Sequence, residues 1–363
     1  MTDPQKQLLV LLSQSLLAKS SSVELSEELK EEAKNQTVYS LLCKDYQLLS
    51  QNIRVISSHA SLSQLLAPIP HTMIKGYASA YYYPEPINRT MGDVDIFVDP
   101  SFFAAAEEIL LKNGWKKHST DHVRHVGFVK NKVNVEIHEE IKGIPNGKDG
   151  IETSSIVVEK RVRDYLSNLI ESSHSVETQY GRITIPDDFH NCIIMLLHIA
   201  GHMFNDGGIG LRHLCDWAVF VAKVDVSSYR SELESIGLWT FACQITSVCS
   251  EYLGLPRQIW AGEWPKDFLC AVLEDILRAG NFGCKESGRR TTLAIHQKSF
   301  AAITRERYPR AKNILLLPFY MFVNCCRFVW LLIRGKKRII RLSTIQNARN
   351  RDNLYKQFRI FEL

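Results

Sequence analysis

The sequence lacks several features that mark secreted, zinc-binding or nucleic-acid-binding proteins. Its nine cysteines include no Cys-x-x-Cys pair, which argues against a disulfide framework or a cysteine zinc site and is typical of reduced thiols in the cytosol. The net charge of +5 is too small to indicate a nucleic-acid partner by itself. The first twenty residues lack the basic start and small-residue cleavage site of a signal peptide. We therefore expect a cytoplasmic protein.

The composition predicts an ordered chain with more than one structural unit. Hydrophobic residues make up 45% of the chain and charged residues 23%, which excludes disorder as the main state. The first part of the chain and the second half carry apolar residues at helical spacing, whereas short strand and helix patterns alternate between them. The sequence predicts a helical N-terminal element over 1–67, an α/β domain over 68–185 and an all-α domain over 186–363.

Two strand patterns in the middle segment carry acidic residues. In the first, Asp93 and Asp95 point to one face and the apolar residues to the other, because side chains alternate along a strand. In the second, Glu136 and His138 share the polar face. Ionised carboxylates this close repel unless a cation compensates them, and carboxylates are the ligands of two-magnesium sites. Asp93, Asp95 and Glu136 are therefore candidate metal ligands, with a solvated acidic strand end as the alternative.

Residues before and between these strands are of the kinds that bind phosphate groups. A short strand pattern ends at Lys75, and Gly76 precedes a helical pattern, so free N–H groups are expected there. Lys75 adds positive charge, Arg89 enters the acidic strand, and Gly92 leaves room for close approach. The alternatives are a surface position for Lys75 and a loop ion pair for Arg89.

Histidines recur in the second half and beside the second strand. His198 and His202 lie one helical turn apart, but the glutamate of His-Glu-x-x-His is absent, which argues against a metalloprotease. With Arg212 and Asp216 they either line a cleft facing the acidic strands or form a buried core with an internal ion pair. His138 either orients Glu136 and polarises an acceptor hydroxyl or packs behind the site.

The C-terminal part combines an apolar segment with basic residues. Residues 314–333 are largely apolar, and Arg334 to Arg341 are rich in positive charge. Arg327 near the centre of the segment argues against a membrane span. We expect an amphipathic helix pair on the all-α domain, with peripheral contact to the inner face of the membrane through 314–341 as the alternative.

These motifs in combination resemble the uncharacterised nucleotidyltransferase family of the polymerase-β superfamily. The resemblance covers most of residues 70–335 and implies an α+β fold, with a polymerase-β-like nucleotidyltransferase domain built on a small mixed sheet with flanking helices. One departure is Gly76-Tyr77, where the wider superfamily has Gly-Ser to hold the triphosphate. The motifs are Lys75-Gly76, the Tyr-Pro-x-Pro run ending at Arg89, Gly92-Asp-x-Asp95, Val135-Glu-Ile-His138, Gly208-x-Gly-Leu-Arg-x-Leu-x-Asp216-Trp and Arg307-Tyr-Pro309.

The resemblance implies a Mg²⁺-dependent enzyme that moves a nucleoside monophosphate from a nucleoside triphosphate, such as ATP, to a hydroxyl or phosphate acceptor. Two Mg²⁺ ions and His138 would act at the reacting centre. A catalytically degenerate nucleotide-binding or assembly protein with the same fold is the alternative, which the Gly76-Tyr77 departure favours. A nucleic-acid acceptor is compatible with the basic tail but has no supporting basic and aromatic surface. The implied metal ligands are Asp93, Asp95 and Glu136, and the implied substrate-binding residues are Lys75, Gly76, Arg89, Gly92, His198, His202 and Arg212.

Overall fold

The computed structural model describes residues 1–18, 24–118, 125–147, 150–285, 289, 300–334 and 342–363. Within these residues the chain forms a mixed α+β fold with a five-stranded sheet, a two-stranded sheet and many helices. The strands are β1 (His71–Ile74), β2 (Asp93–Val98), β3 (Lys116–His118), β4 (His125–Lys130), β5 (Val133–His138), β6 (His174–Thr178) and β7 (Gly181–Ile185).

Along the chain, α-helices precede the strands, lie between them and follow them. Seven of the described helices precede β6: α1 (Asp3–Ser15), α2 (Glu27–Asn35), α3 (Tyr39–Leu42), α4 (Tyr46–Leu65), α5 (Gly76–Ala80), α6 (Phe103–Lys112) and α7 (Ile156–Leu166). The others follow β7: α8 (Asp188–Asn205), α9 (Leu211–Val221), α10 (Arg230–Ser235), α11 (Trp239–Tyr252), α12 (Lys266–Ala279), α13 (Phe300–Arg307), α14 (Leu317–Ile333) and α15 (Leu342–Lys356).

The five-stranded sheet is mixed and has the order β1-β2-β5-β4-β3. Strand β2 pairs parallel with β5, so that Asp95 lies opposite Glu136, and the other pairs are antiparallel. Ile74 of β1 lies opposite Asp95 as well. The topology thus brings an acidic residue from each of two central strands to adjacent positions and places Lys75, which follows Ile74, beside them.

A two-residue turn joins β4 to β5 in a tight hairpin. Asn131 and Lys132 have φ values of 50° and 63°, the left-handed conformation that both central residues of a type I′ turn require. This turn sets the register of β5, and the register in turn decides which of its side chains face the core.

The two faces of the sheet are buried by different parts of the chain. On one face, Val94, Ile96, Val135 and Ile137 belong to an apolar cluster that also contains residues of α4 and β7. The second cluster joins α1 and α2 to α8, α9 and α11, and Phe97, on the polar face of β2, packs against it. The polar face of β2 and β5 therefore turns toward the helical part. The predicted domain limits stay a prediction.

Outside the central sheet, two segments form structures that their local sequence patterns do not determine. The apolar run Ile156-Val-Val158 is also compatible with a strand, but it forms the start of α7, where the Ser155 hydroxyl accepts a hydrogen bond from Val158 N–H at 3.3 Å. Such a cap satisfies a free N–H group of the first turn. The hairpin of β6 and β7 has a weak sequence pattern, because its two strands contain few apolar residues. These are Val176, Ile183 and Ile185, and all three pack in or against the apolar cluster of the sheet.

In the tail, α14 forms within the predicted apolar segment and packs against α13, which precedes that segment. Asn324, which interrupts the apolar run, donates to Thr304 Oγ1 at 3.2 Å and accepts from Arg307 Nη1 at 2.8 Å. No helix among the described residues is long and apolar enough to cross a membrane. Phe319 and Phe322 remain well exposed, and residues 335–341 of the predicted basic run lie outside the described residues.

Candidate active site

Asp95 is the most buried of the acidic residues that β2 and β5 bring together. Its Oδ1 atom accepts hydrogen bonds from Lys75 Nζ at 2.9 Å and His138 Nε2 at 2.8 Å. His138 Nε2 also lies 3.6 Å from Glu136 Oε2. Although burial opposes ionisation, the Lys75 ammonium and His138 hold the pKa of Asp95 well below its usual range. Asp95 is therefore ionised and already compensated within the protein.

Asp93 is in the opposite electrostatic situation. The charge of Asp95, burial and the charge of Glu136 raise the pKa of Asp93 to about 6. Lys75 and Arg212 lower it, but not by enough to cancel that effect. The site therefore holds more negative charge than its own cations neutralise, which is the condition that favours binding of a divalent cation.

The donor atoms at the site suit a metal ion. Single donor atoms of Asp95, Glu136 and His138 lie within 4.8 Å of one another, so His138 joins two of the three predicted ligands. Asp93 lines the same cavity beside them. Carboxylate oxygens are the ligands that Mg²⁺ prefers, and the uncompensated charge at Asp93 shows that the residues present fit such an ion.

The predicted catalytic, metal-binding and substrate-binding residues all line one cavity of about 180 Å³, whereas Asp216 is not part of its lining. Met91 and Phe282 also line it, as do three residues just after β5. Of these, Glu140 and Lys142 continue the alternation of Glu136 and His138 beyond the strand, a signal from which they were predictable. The predicted residues are Lys75, Gly76, Arg89, Gly92, Asp93, Asp95, Glu136, His138, His198, His202 and Arg212.

The turn after β1 is held in an unusual backbone conformation. Lys75 has φ 56° and Gly76 has φ 32°, a region that costs a side-chain-bearing residue energy. A Cβ atom at Gly76 would lie 2.8 Å from Nε2 of the buried His59, so glycine is required there. The following helix, α5, has only five residues, so its dipole is small. A phosphate-binding role for Gly76 stays a prediction.

Arg89 has a partner inside the protein. Its Nε and Nη2 atoms donate to Oδ1 and Oδ2 of Asp216, both at 2.7 Å. Tyr83 Oη donates to Asp216 Oδ1 at 2.9 Å. Both side chains of the ion pair are less than a tenth exposed, so the pair ties the entry of β2 to α9. The internal ion pair expected for Asp216 thus forms with Arg89 rather than with Arg212.

Arg212 retains capacity to bind an anion. Its Nη1 donates to the Thr90 carbonyl at 3.4 Å, and its guanidinium carbon lies 5.8 Å from the centre of the Phe282 ring. Among the described residues, its buried Nε atom has no hydrogen-bond partner. Burial and the charge of Arg89 lower the pKa of Arg212, whereas Asp216 and Asp93 raise it. Arg212 is therefore the better-placed arginine for a phosphate.

The predicted histidine pair faces the cavity and gains a third member. His198 and His202 line the cavity, and His213 of α9 packs against both, with ring centres 5.5 and 5.6 Å away. Burial is the main cause of the lowered pKa values of all three. Sequence reasoning missed His213, which follows Arg212 directly in the chain but has no periodic relation to His198.

Comparison with known families gives one match. The family model described as an uncharacterised nucleotidyltransferase matches residues 5–254, more than two thirds of the chain. The matched range contains every residue named at the cavity apart from Phe282. Searches of the curated proteins and of the solved structures gave no significant match.

Proposed function

Because the chain belongs to the uncharacterised nucleotidyltransferase family, we propose that it transfers a nucleoside monophosphate from a nucleoside triphosphate to a hydroxyl or phosphate acceptor. The observation that carries the proposal is the parallel pairing of β2 with β5, which places Asp95 opposite Glu136 in a cavity shared with Arg212. A polymerase-β-like nucleotidyltransferase domain is the corresponding fold proposal.

Asp93, Asp95 and Glu136 would hold the magnesium ions, with His138 beside them. When bound, two Mg²⁺ ions supply activation of the acceptor oxygen and neutralisation of the leaving pyrophosphate. His138 positions Asp95 through their 2.8 Å hydrogen bond. Lys75 compensates the Asp95 carboxylate at 2.9 Å and so keeps the folded site from carrying three unpaired negative charges.

The nucleotide phosphates would bind at Arg212, which faces the carboxylates across the cavity. A charge-assisted hydrogen bond is worth about 1.5–3 kcal/mol, so Arg212→Gln should weaken binding of Mg²⁺–ATP by roughly tenfold or more. Isothermal titration calorimetry measures this. The matched control is Arg182→Gln, whose exposed guanidinium pairs with Glu177 on the hairpin of β6 and β7. Equal loss in both variants would contradict the assignment.

A second assay, of pyrophosphate release, separates an enzyme from the alternative, a nucleotide-binding or assembly protein that has lost catalysis. The five-residue helix after Gly76 is the observation that favours the alternative, because it offers little positive potential to a triphosphate. Pyrophosphate release from each of the four nucleoside triphosphates, with hydroxyl and phosphate acceptors, tests transfer directly. Binding without pyrophosphate release under all these conditions would support the alternative.

For the tail, we propose contact with the inner surface of the membrane in a cytoplasmic protein. Exposed Phe319, Phe322 and Trp330 on α14 are accompanied by the exposed Arg327, a combination that suits anionic lipid. Phe322→Ser should reduce flotation of the full chain with phosphatidylserine vesicles, whereas Ile156→Ser, at an equally exposed position of α7, should not. Absence of flotation by the wild type would reject this contact.

A further inference from the structure

Two neighbouring helices bring three histidines together at the edge of the cavity. His198 and His202 project from one face of α8, and His213 comes from the first turns of α9. One ring nitrogen from each lies within 4.8 Å of the other two, and the Nε2 atoms of His198 and His202 are 2.8 Å apart. A tetrahedral ion with bonds of about 2.0–2.1 Å separates its nitrogens by about 3.3 Å, so small side-chain shifts complete the geometry.

The ring of His202 is oriented as a metal-bound histidine is. Its Nδ1 atom lies 2.6 Å from Asp206 Oδ2, and Lys142 Nζ contacts both groups. A carboxylate accepts hydrogen bonds but cannot donate them, so it selects the tautomer with the proton on Nδ1. The lone pair of Nε2 is then directed at His198. Such a carboxylate–histidine contact is the usual outer support of a zinc ligand.

His213 supplies an independent observation. Its side chain is only 3% exposed, and among the described residues its ring nitrogens make no hydrogen bond of good geometry, although the ring approaches the Gly210 backbone. A buried polar group without a partner costs about 1–3 kcal/mol. A bound metal ion would satisfy such a nitrogen.

We propose that His198, His202 and His213 bind one Zn²⁺ ion at a site separate from the magnesium carboxylates. Three imidazole nitrogens suit Zn²⁺ and exclude Mg²⁺, which requires oxygen ligands. Three protein ligands leave a fourth position open, as in catalytic rather than structural zinc sites. Because His198 and His202 line the cavity, that position opens toward it and takes a water molecule.

An aromatic ring and three charged side chains surround the three histidines. The ring of Phe282 packs against His202 and His213, with ring centres 4.4 and 5.4 Å away, and shields the imidazoles on that side. Positive charge comes from Lys142 and Arg212, whereas Asp206 provides the compensating carboxylate next to His202. The proposal does not depend on nucleotidyl transfer, since it concerns metal binding by the histidines alone.

Cobalt substitution of the full-length protein tests the proposal. After removal of metals with EDTA, titration with Co²⁺ should give the visible absorption of a four-coordinate ion at one equivalent, and Zn²⁺ should displace it. His213→Asn should lose this spectrum. Asp206→Asn should keep it with an affinity lower by about 10- to 100-fold. Asp93→Asn is the control and should leave the spectrum and the affinity unchanged.

Three results would overturn the zinc site. The first is a wild-type protein that gives no four-coordinate Co²⁺ spectrum. The second is a folded His213→Asn variant with unchanged Co²⁺ affinity. The third is loss of the spectrum in Asp93→Asn, which would place the ion at the carboxylates instead. If His213→Asn fails to fold, the wild-type spectrum and the affinity of Asp206→Asn still decide the question.

Discussion

Replacing Asp93 by asparagine should abolish nucleotidyl transfer and leave the metal-free protein at least as stable as the wild type. Loss of a ligand to a catalytic metal removes several kcal/mol of transition-state stabilisation, which corresponds to a rate lower by about 10³-fold or more. Asp93 lines the cavity beside Asp95 and Glu136, and the negative charges of these two residues raise the pKa of Asp93.

The stability effect follows from the pKa of Asp93, which is raised from 3.8 to about 6. Between these two pH values the folded state binds more protons than the unfolded state, so the stability of the wild type falls as pH rises through this range. At pH 7 the ionised group therefore destabilises the fold. One pKa unit corresponds to about 1.36 kcal/mol, so Asp93→Asn should gain about 1–3 kcal/mol in the free energy of unfolding.

Two measurements check this prediction. Denaturant unfolding in EDTA at pH 5 and pH 7 should show a larger gain for Asp93→Asn at pH 7. Pyrophosphate release should show the loss of rate. Asp164→Asn serves as the control, because its carboxylate is exposed and pairs with Lys160 on the surface of α7, a contact worth little. A variant that is stabilised but fully active would reject Asp93 as a metal ligand.

Asp95→Asn is a less informative variant, although Asp95 lies at the centre of the site. Its carboxylate accepts from Lys75 and His138, and Lys75 Nζ has little access to solvent. Removing the charge would take away the carboxylate that accepts directly from the buried Lys75 ammonium and leave Asp93 and Glu136 as its acidic neighbours, and breaking a buried ion pair destabilises a protein strongly. Loss of activity in that variant would therefore combine loss of a ligand with partial unfolding.

Asp216→Asn should destabilise the protein by about 3–5 kcal/mol, the usual effect of removing one member of a buried ion pair. Arg89 makes two hydrogen bonds of 2.7 Å to Asp216, and the two side chains are 7% and 9% exposed. Asparagine keeps the volume but not the charge, so the guanidinium remains buried without a counter-ion. Tyr83, which also donates to Asp216, would lose a charged acceptor.

Urea denaturation in the absence of nucleotide measures the effect. Glu177→Gln is the control, because it breaks the exposed pair with Arg182 and should change stability by less than about 0.5 kcal/mol. The double variant Arg89→Met/Asp216→Leu should recover much of the loss, since no unpaired charge remains. Similar stability of Asp216→Asn and the control would show that Arg89 finds another partner.

The alternation of side chains in β2 and β5 explains how much of the candidate site was predictable. Asp93 and Asp95 share one face of β2, and Glu136 and His138 share one face of β5, because the period of two is a local property of the backbone. The type I′ turn at Asn131 and Lys132 is local in the same way. The family, too, was recognisable from motifs within short segments, as the match to residues 5–254 confirms.

Contacts between distant segments were not predictable. Arg89 pairs with Asp216, a residue 127 positions later, and His213 meets His198 only because α8 and α9 pack with those faces together. The conformation of Ile156–Val158 was not predictable from these residues either, since three apolar residues suit a strand or a helix equally; the Ser155 cap and the burial of Val158 accompany the helix.

The amino-acid sequence by itself determined which side chains share a face, because backbone geometry repeats over a few residues whatever surrounds it. Only the tertiary structure decided which charges compensate one another. In the packed chain, the pKa of Asp93 is raised. Arg89 forms an ion pair with Asp216, and Arg212 lines the cavity. Electrostatic pairing depends on distance and burial, and those are properties of the packed chain.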